Sequence, residues 1–257
     1  MNVALGSFKP DSRYVEHVHP AANREKRRDG VRPRLVILHY TGMASAQKAI
    51  DWLSREESRV SCHYVIDEKG GVVQLVPELL RAWHAGVSSW RGETDINSHS
   101  LGIEIQNPGH SDGYPAFSRL QIASVIALTR DICERHAIAP RDVLGHSDVA
   151  VGRKIDPGER FPWPVLARHG VGHWVRPAPV RADDLGLGLG AVGPQVKEAS
   201  SLLADYGYDL ERCVRSDDKM VKVLTAFQRH FRPRRVDGRL DISTLKTLRR
   251  LVQSADS

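Results

Sequence analysis

Four aliphatic residues in a row, Leu35-Val36-Ile37-Leu38, stand behind Pro33 and Arg34 and lead into His39, Tyr40 and Thr41. An unbroken apolar run of that length predicts a short strand buried on both faces. His39, Tyr40 and Thr41 then fall at its exit, where a sheet opens to a crevice. Ala46, Ala49, Ile50 and Leu53 recur at helical spacing behind Ser45, which is placed to cap the helix. Residues 61–67 and 72–76 read as two strands joined by Glu68-Lys69-Gly70-Gly71 as a hairpin turn. Residues 101–107 alternate, with Leu101, Ile103 and Ile105 on one side and Gly102, Glu104 and Gln106 on the other. A carboxylate in the middle of such a strand is uncommon, and the glycine beside it leaves room for something to approach.

Ser118 and Gln121 form a capping box. Behind it Ile122, Val125, Ile126, Thr129, Ile132 and Cys133 predict the buried stripe of a long helix ending near His136. From residue 176 to 194 the composition turns to Pro, Gly, Ala and Asp, which marks a linker. Beyond it Val196, Ala199, Leu202, Leu203 and Tyr206 predict one amphipathic helix, and Val221, Leu224, Phe227 and Gln228 a second. Asp237-Gly238-Arg239-Leu240 is a turn before a third helix over 242–251. Residues 1–32 are polar and basic and read as a solvated arm, in which His17 and His19 precede any regular element.

The fold expected is therefore α/β. An arm over 1–32 precedes a domain over 33–176 with a mixed central sheet flanked by helices. A linker over 177–194 then leads to a small three-helix domain over 195–257.

Composition changes this picture little. With 41% hydrophobic and 26% charged residues, the 257-residue chain is ordinary for a globular protein. The net charge of +6 favours anionic partners, but the basic runs at 24–28 and 232–235 accompany no nucleic-acid motif, so nucleic acid is set aside. Cys62, Cys133 and Cys213 are widely separated and form neither a disulfide framework nor a thiolate zinc knuckle. No stretch has the length and apolarity of a signal peptide or a membrane span. The expected compartment is the cytoplasm, with the periplasm or cell envelope as the alternative if a leader has been removed. Oligomeric state leaves no mark on the sequence.

The candidate chemistry is metal-assisted hydrolysis. A catalytic zinc site needs three protein ligands and one open position. His39, His146 and Asp156 all sit at element ends or in tight loops, and Asp156 is held by the turn residues Pro157 and Gly158. A water activated by zinc needs a base, which Glu104 can supply from its strand. A developing oxyanion needs a cation, and Lys154 stands two residues before Asp156. His63 reads as structural, turned away from the carboxylates. Trp83 and Trp90 either stack on a sugar or pack their own loop.

Six ordered segments carry a resemblance: His39-Tyr40-Thr41; Ser61-x-His63-Tyr64; Ala82-Trp83-His84-Ala85-Gly86; Asn97-x-x-Ser100-x-Gly102-Ile103-Glu104; Gly145-His146-Ser147-Asp148; and Gly152-Arg153-Lys154-x-Asp156-Pro157-Gly158. Together, over residues 30–170, they resemble the zinc-dependent N-acetylmuramoyl-L-alanine amidases, whose superfamily includes phage amidases and peptidoglycan recognition proteins. The resemblance implies zinc on His39, His146 and Asp156, with Glu104 and Lys154 as the catalytic pair. It also implies Arg153 against a stem-peptide carboxylate, and His84 and Asn97 along the substrate groove. Where phage amidases carry a tyrosine, this chain has Cys62. That departure, with aspartate as third ligand, is similar to the bacterial branch that recycles or trims cell wall, in which the glutamate works beside the metal.

Residues 195–252 resemble a three-helix peptidoglycan-binding domain, through Gly207-Tyr208, Ala226-Phe227-Gln228, Asp237-Gly238 and Thr244-Leu245. The implied reaction is hydrolysis of the amide joining N-acetylmuramic acid, or its anhydro form, to L-alanine in peptidoglycan or muropeptides. A non-catalytic muropeptide-recognition protein is the alternative. A zinc D-alanyl peptidase is a weaker rival, because it predicts neither Glu104 nor Lys154.

Overall fold

The computed structural model describes residues 7–255. It divides the chain into two compact units: one up to Gly86 with Asp95–Leu144 and His169–Gly172, the other of Val87–Thr94, Gly145–Arg168 and the chain from His173 onward.

The first unit carries β1 (His17–Val18), β2 (Arg24–Lys26), β3 (Leu35–Tyr40), α1 (Ala46–Ser54), β4 (Tyr64–Ile66), β5 (Val72–Gln74), β6 (Leu80–Ala82), α2 (Ile96–His99), β7 (Ser100–Ile105) and α3 (Arg119–His136), with β8 (Val143–Gly145) at its end. The main sheet runs β1-β5-β4-β7-β3-β8, and β2 pairs with β6 in a separate ribbon. β3 lies parallel to β7 from Leu35 opposite Ser100 to Tyr40 opposite Ile105. β4 is parallel to β7 on its other side, while β5 returns antiparallel to β4 through the predicted hairpin. Gly70 turns that hairpin at φ +89°, a conformation that glycine takes without strain.

All four aliphatic residues of β3 are buried, as the unbroken run requires. The Ser45 hydroxyl accepts from Lys48 N–H, so α1 starts where its cap stands. Its Ala46, Ala49, Ile50 and Leu53 pack with Val65, Val73 and Leu75 of the sheet. Burying side chains such as Ile50 and Leu53 contributes about 1.5–3 kcal/mol each. On α3 the capping box of Ser118 and Gln121 forms reciprocally. Its stripe differs from expectation at three positions: Leu128 is buried, while Ile126 and Cys133 are half-buried. Leu128 stands three residues after Val125 and four before Ile132, the spacing that keeps a side chain on one face.

Residues 7–32 do not form the expected solvated arm. His17 pairs opposite Val73 in β1, and Arg24, Glu25 and Lys26 pair with β6. Arg27 is buried, and its guanidinium donates to the carbonyls of Glu78, Ser98 and Ser100. The reason is backbone satisfaction: polar side chains face out while the strand N–H and C=O groups close a sheet edge. The first six residues of the arm and the last two of the chain lie outside the described residues.

The second unit holds α4 (His146–Val149), α5 (Trp163–Arg168), α6 (Pro194–Tyr206), α7 (Asp218–Phe231) and α8 (Ile242–Ala255). Its core includes Val196, Leu203, Leu224, Phe227, Leu248 and Leu251. Leu202 and Val221, expected on that face, are half-buried. Gln228 accepts from the N–H groups of Asp237 and Gly238, which pins the predicted turn. The expected linker has no helix but is not loose. Ala178 is buried, donating its N–H to Thr247 and accepting from Ser243, and Leu187 bridges to Leu240. Gly145–Arg168 groups with this compact unit. Among the described residues no helix is long and apolar enough to cross a membrane.

Candidate active site

The β3–β7 register sets His39 directly opposite Glu104. Opposed residues of paired strands project to the same face, so an imidazole and a carboxylate emerge together at the strand exits. Two residues before Glu104, on the same face, a Cβ on Gly102 would come within 2.6 Å of the His84 ring. The glycine is what lets His84 lie against the strand.

Behind His39 runs a chain of hydrogen bonds. Ser100 Oγ donates to the carbonyl of Ile96 at 2.6 Å. His84 Nε2 lies 3.1 Å from that hydroxyl, and His84 Nδ1 lies 3.0 Å from His39 Nε2. With the serine proton committed to Ile96, His84 donates through Nε2 and accepts through Nδ1. His39 then donates through Nε2, and its Nδ1 lone pair is the one offered to a metal. Asn97 accepts from the N–H groups of His84 and Ala85 at 3.0 and 2.8 Å, fixing the loop that presents His84. His84 and Asn97 are 9% and 8% exposed, and both side chains take part in these internal hydrogen bonds.

His146 is the first residue of α4, directly after β8. Asp156 Oδ2 sits 3.0 Å from His146 Nδ1, and Ser147 N–H donates to the Asp156 carbonyl at 2.9 Å. The ligand atoms of His39, His146 and Asp156 all lie within 4.8 Å of one another, and all three residues are buried. Among the described residues this is the one group of three or more such side chains that can hold a metal. Two imidazoles and one carboxylate suit zinc, whereas calcium and magnesium call for mostly oxygen ligands. A divalent cation there would pair with the buried Asp156 carboxylate.

Glu104 is half-buried, and Lys154 and Arg153 are exposed. Arg153 donates from Nε and Nη2 to the Val87 carbonyl at 3.0 and 2.8 Å. Cys62, in the place of the phage tyrosine, is fully buried; burial and then the charge of Glu104 push its thiol pKa well up. It stays a neutral thiol and does not act as a nucleophile.

His63 is engaged within the fold, and its ring lies 5.7 Å from that of His84. Nδ1 accepts from Gly102 N–H at 3.0 Å, and Nε2 lies 3.1 Å from the Leu80 carbonyl. Trp90 is buried against Tyr206 and Tyr208, and Trp83 donates to Glu25, so both tryptophans are engaged within the protein. Ser100 is a further residue of the relay behind His39, one that carries no chemistry of its own in the motif. Its signal is a small polar side chain two residues before Gly102, itself buried on the strand, which calls for a polar partner.

The sequence profile of N-acetylmuramoyl-L-alanine amidase matches residues 29–159. The chain belongs to the N-acetylmuramoyl-L-alanine amidase family. It is a hydrolase of the amide between N-acetylmuramic acid and L-alanine, and the alternative of a non-catalytic recognition protein falls. A second profile, of a peptidoglycan binding domain, matches residues 192–248. The chain is 37% identical over 227 residues to the N-acetylmuramoyl-L-alanine amidase AmiD of Escherichia coli, covering 83% of this chain and 80% of that one. It is 30% identical to the 1,6-anhydro-N-acetylmuramyl-L-alanine amidase AmpD of the same organism, over 56% of this chain and 86% of that one. Among solved structures, AMPDH3 from Pseudomonas aeruginosa superposes with a TM-score of 0.74 at 32% identity, covering 92% of this chain and 97% of that one. AmiD from E. coli, in complex with anhydro-N-acetylmuramic acid-L-Ala-D-gamma-Glu-L-Lys, gives 0.73 at 34% identity, covering 90% and 92%. These neighbours bear out the mixed α/β fold of this amidase.

Proposed function

We propose that this amidase works with zinc held by His39, His146 and Asp156, and that it accepts soluble anhydro-muropeptides as well as polymeric peptidoglycan. The observation that carries the reading is the convergence of those three side chains, with Glu104 opposite His39 on the neighbouring strand. The relative crystallised with an anhydro-muropeptide supports the soluble substrate, and the match to a peptidoglycan binding domain supports the polymer. Bound there, zinc would supply a Lewis acid that polarises the scissile carbonyl and acidifies the attacking water. Glu104 takes the proton of that water and passes it to the leaving amine of L-alanine. The Lys154 ammonium stabilises the tetrahedral oxyanion, and Arg153 pairs with a carboxylate of the stem peptide. His84 and Asn97 act from behind, through the orientation of His39.

The compartment we infer is the cytoplasm, supported by three cysteines held as free thiols. Recovery of the protein from the periplasm would assign it to the envelope instead. The test of the activity is chelation. Treating the enzyme with chelator should abolish amide hydrolysis, leave the fold intact, and be reversed by zinc. Parallel rates on intact sacculi and on soluble anhydro-muropeptide then rank the two substrates. Activity that survives chelation would remove the proposal.

A further inference from the structure

We propose that Tyr208 and His230, supplied by the C-terminal helical module, are positioning residues of the amidase reaction. They act by holding the carboxylate of Asp148, and with it the turn that carries His146. The inference rests on the reading of His146 and Asp156 as metal ligands.

Asp148 is 1% exposed, and a carboxylate so buried must be met by donors. It receives three. Gly145 N–H and His230 Nδ1 reach Oδ2 at 2.8 and 2.7 Å, and the Tyr208 hydroxyl reaches Oδ1 at 2.8 Å. Only the first is local. α4 is four residues long, too short to hold its own shape, and Asp148 stands two residues after His146 within it. The turn holds the second ligand as well, through Ser147 N–H on the Asp156 carbonyl.

The two distant donors are themselves locked. The His230 ring stacks on Trp163 at 3.8 Å and 20°, and Tyr208 packs edge-on against Trp90 at 5.1 Å and 77°. Close packing extends along the loop: a Cβ on Gly145 would come within 2.8 Å of Pro157, and one on Gly152 within 2.7 Å of Lys222. Buried polar clusters are often no more stabilising than apolar packing of the same shape, although removing one partner of a buried carboxylate is costly. What three directional bonds add is a single orientation for the turn. The helical module is therefore part of the catalytic apparatus as well as a wall-binding element.

The test uses the full-length chain with Tyr208→Phe and His230→Phe, which keep the rings and remove the donors. Zinc affinity is measured by competition with a chromogenic chelator, kcat and KM on soluble anhydro-muropeptide, and polymer binding by pelleting with sacculi. Zinc affinity should weaken by about 10–100-fold and kcat should fall severalfold, with KM and pelleting within about twofold of wild type. His230→Asn, which places an N–H near the position of Nδ1, should recover most of the loss. Should His230→Phe fail to fold, Tyr208→Phe carries the test alone. Wild-type zinc affinity and kcat in the folded variants would overturn the proposal, as would loss of pelleting with kcat unchanged. His146→Ala separates the two readings. If it binds zinc as wild type does, the ligand assignment falls and the brace with it; if it loses zinc while the Phe variants do not, the brace alone falls.

Discussion

His39 and His63 are both buried, stand on or beside strands that flank β7, and approach the same third histidine, His84. Their chemistry nevertheless diverges. His63 gives both nitrogens to the fold, one to Gly102 N–H and one to the Leu80 carbonyl, with the Arg27 guanidinium 3.2 Å away. Burial, and then the charge of Arg27, lower its pKa to about 3, so it stays neutral. His39 gives one nitrogen to His84 and offers a ligand atom within 4.8 Å of those of His146 and Asp156. Burial alone therefore does not separate a structural histidine from a ligand. The distinction is whether the scaffold claims both ring nitrogens or claims one and thereby orients the other.

The largest effect expected from this contrast is at Glu104, which the register places opposite His39. Glu104→Gln should lower turnover by roughly two to four orders of magnitude while zinc content and fold are retained, read as release of stem peptide from soluble muropeptide. Near-native turnover would move the base elsewhere and break the pairing with His39. Next is the relay behind the ligand. His84→Phe should weaken zinc affinity by about 10–100-fold, and Ser100→Ala should do so less, because the ring then keeps its place but loses its fixed tautomer. Chelator competition that found both variants at wild-type affinity would show that His39 needs no orienting partner.

The parts legible in the sequence are those written in contiguous residues. The aliphatic run of β3, the Ser45 cap and the Ser118–Gln121 box each state their structure within a few positions, and all three form. β1 and β2 were not legible, because strands of two and three residues carry no alternation and depend on partners in β5 and β6. The metal group was legible as ordered motifs. The work of His84 and Asn97 was not, since it lies in tertiary hydrogen bonds that no spacing encodes. The same holds for Asp148, whose partners Tyr208 and His230 come from beyond the linker.

A smaller effect sharpens the contrast from the side of His63. Below its ordinary pKa of 6.5 the unfolded chain takes a proton on His63 that the folded protein refuses until about 3. Stability should therefore fall as pH drops through that window, by about 1.4 kcal/mol per pH unit from this group. Glu78 does not share the upper part of the window. Burial pushes its carboxyl up, but bonds from Arg135, His136 and Tyr64 outweigh this and lower it to about 2, so its contribution is lost only below its ordinary value of 4.5. Urea unfolding at pH 7, 6 and 5 should show a slope that His63→Gln flattens. Gln can accept from Gly102 and donate to Leu80, so the fold should survive the change.

The most direct test of the account is the zinc content of three full-length proteins, measured by elemental analysis after gel filtration. Wild type and His63→Gln should each carry about one zinc per chain, and His39→Ala should carry almost none. Stoichiometric zinc on His39→Ala, or its loss from His63→Gln, would contradict the division of labour between the two histidines.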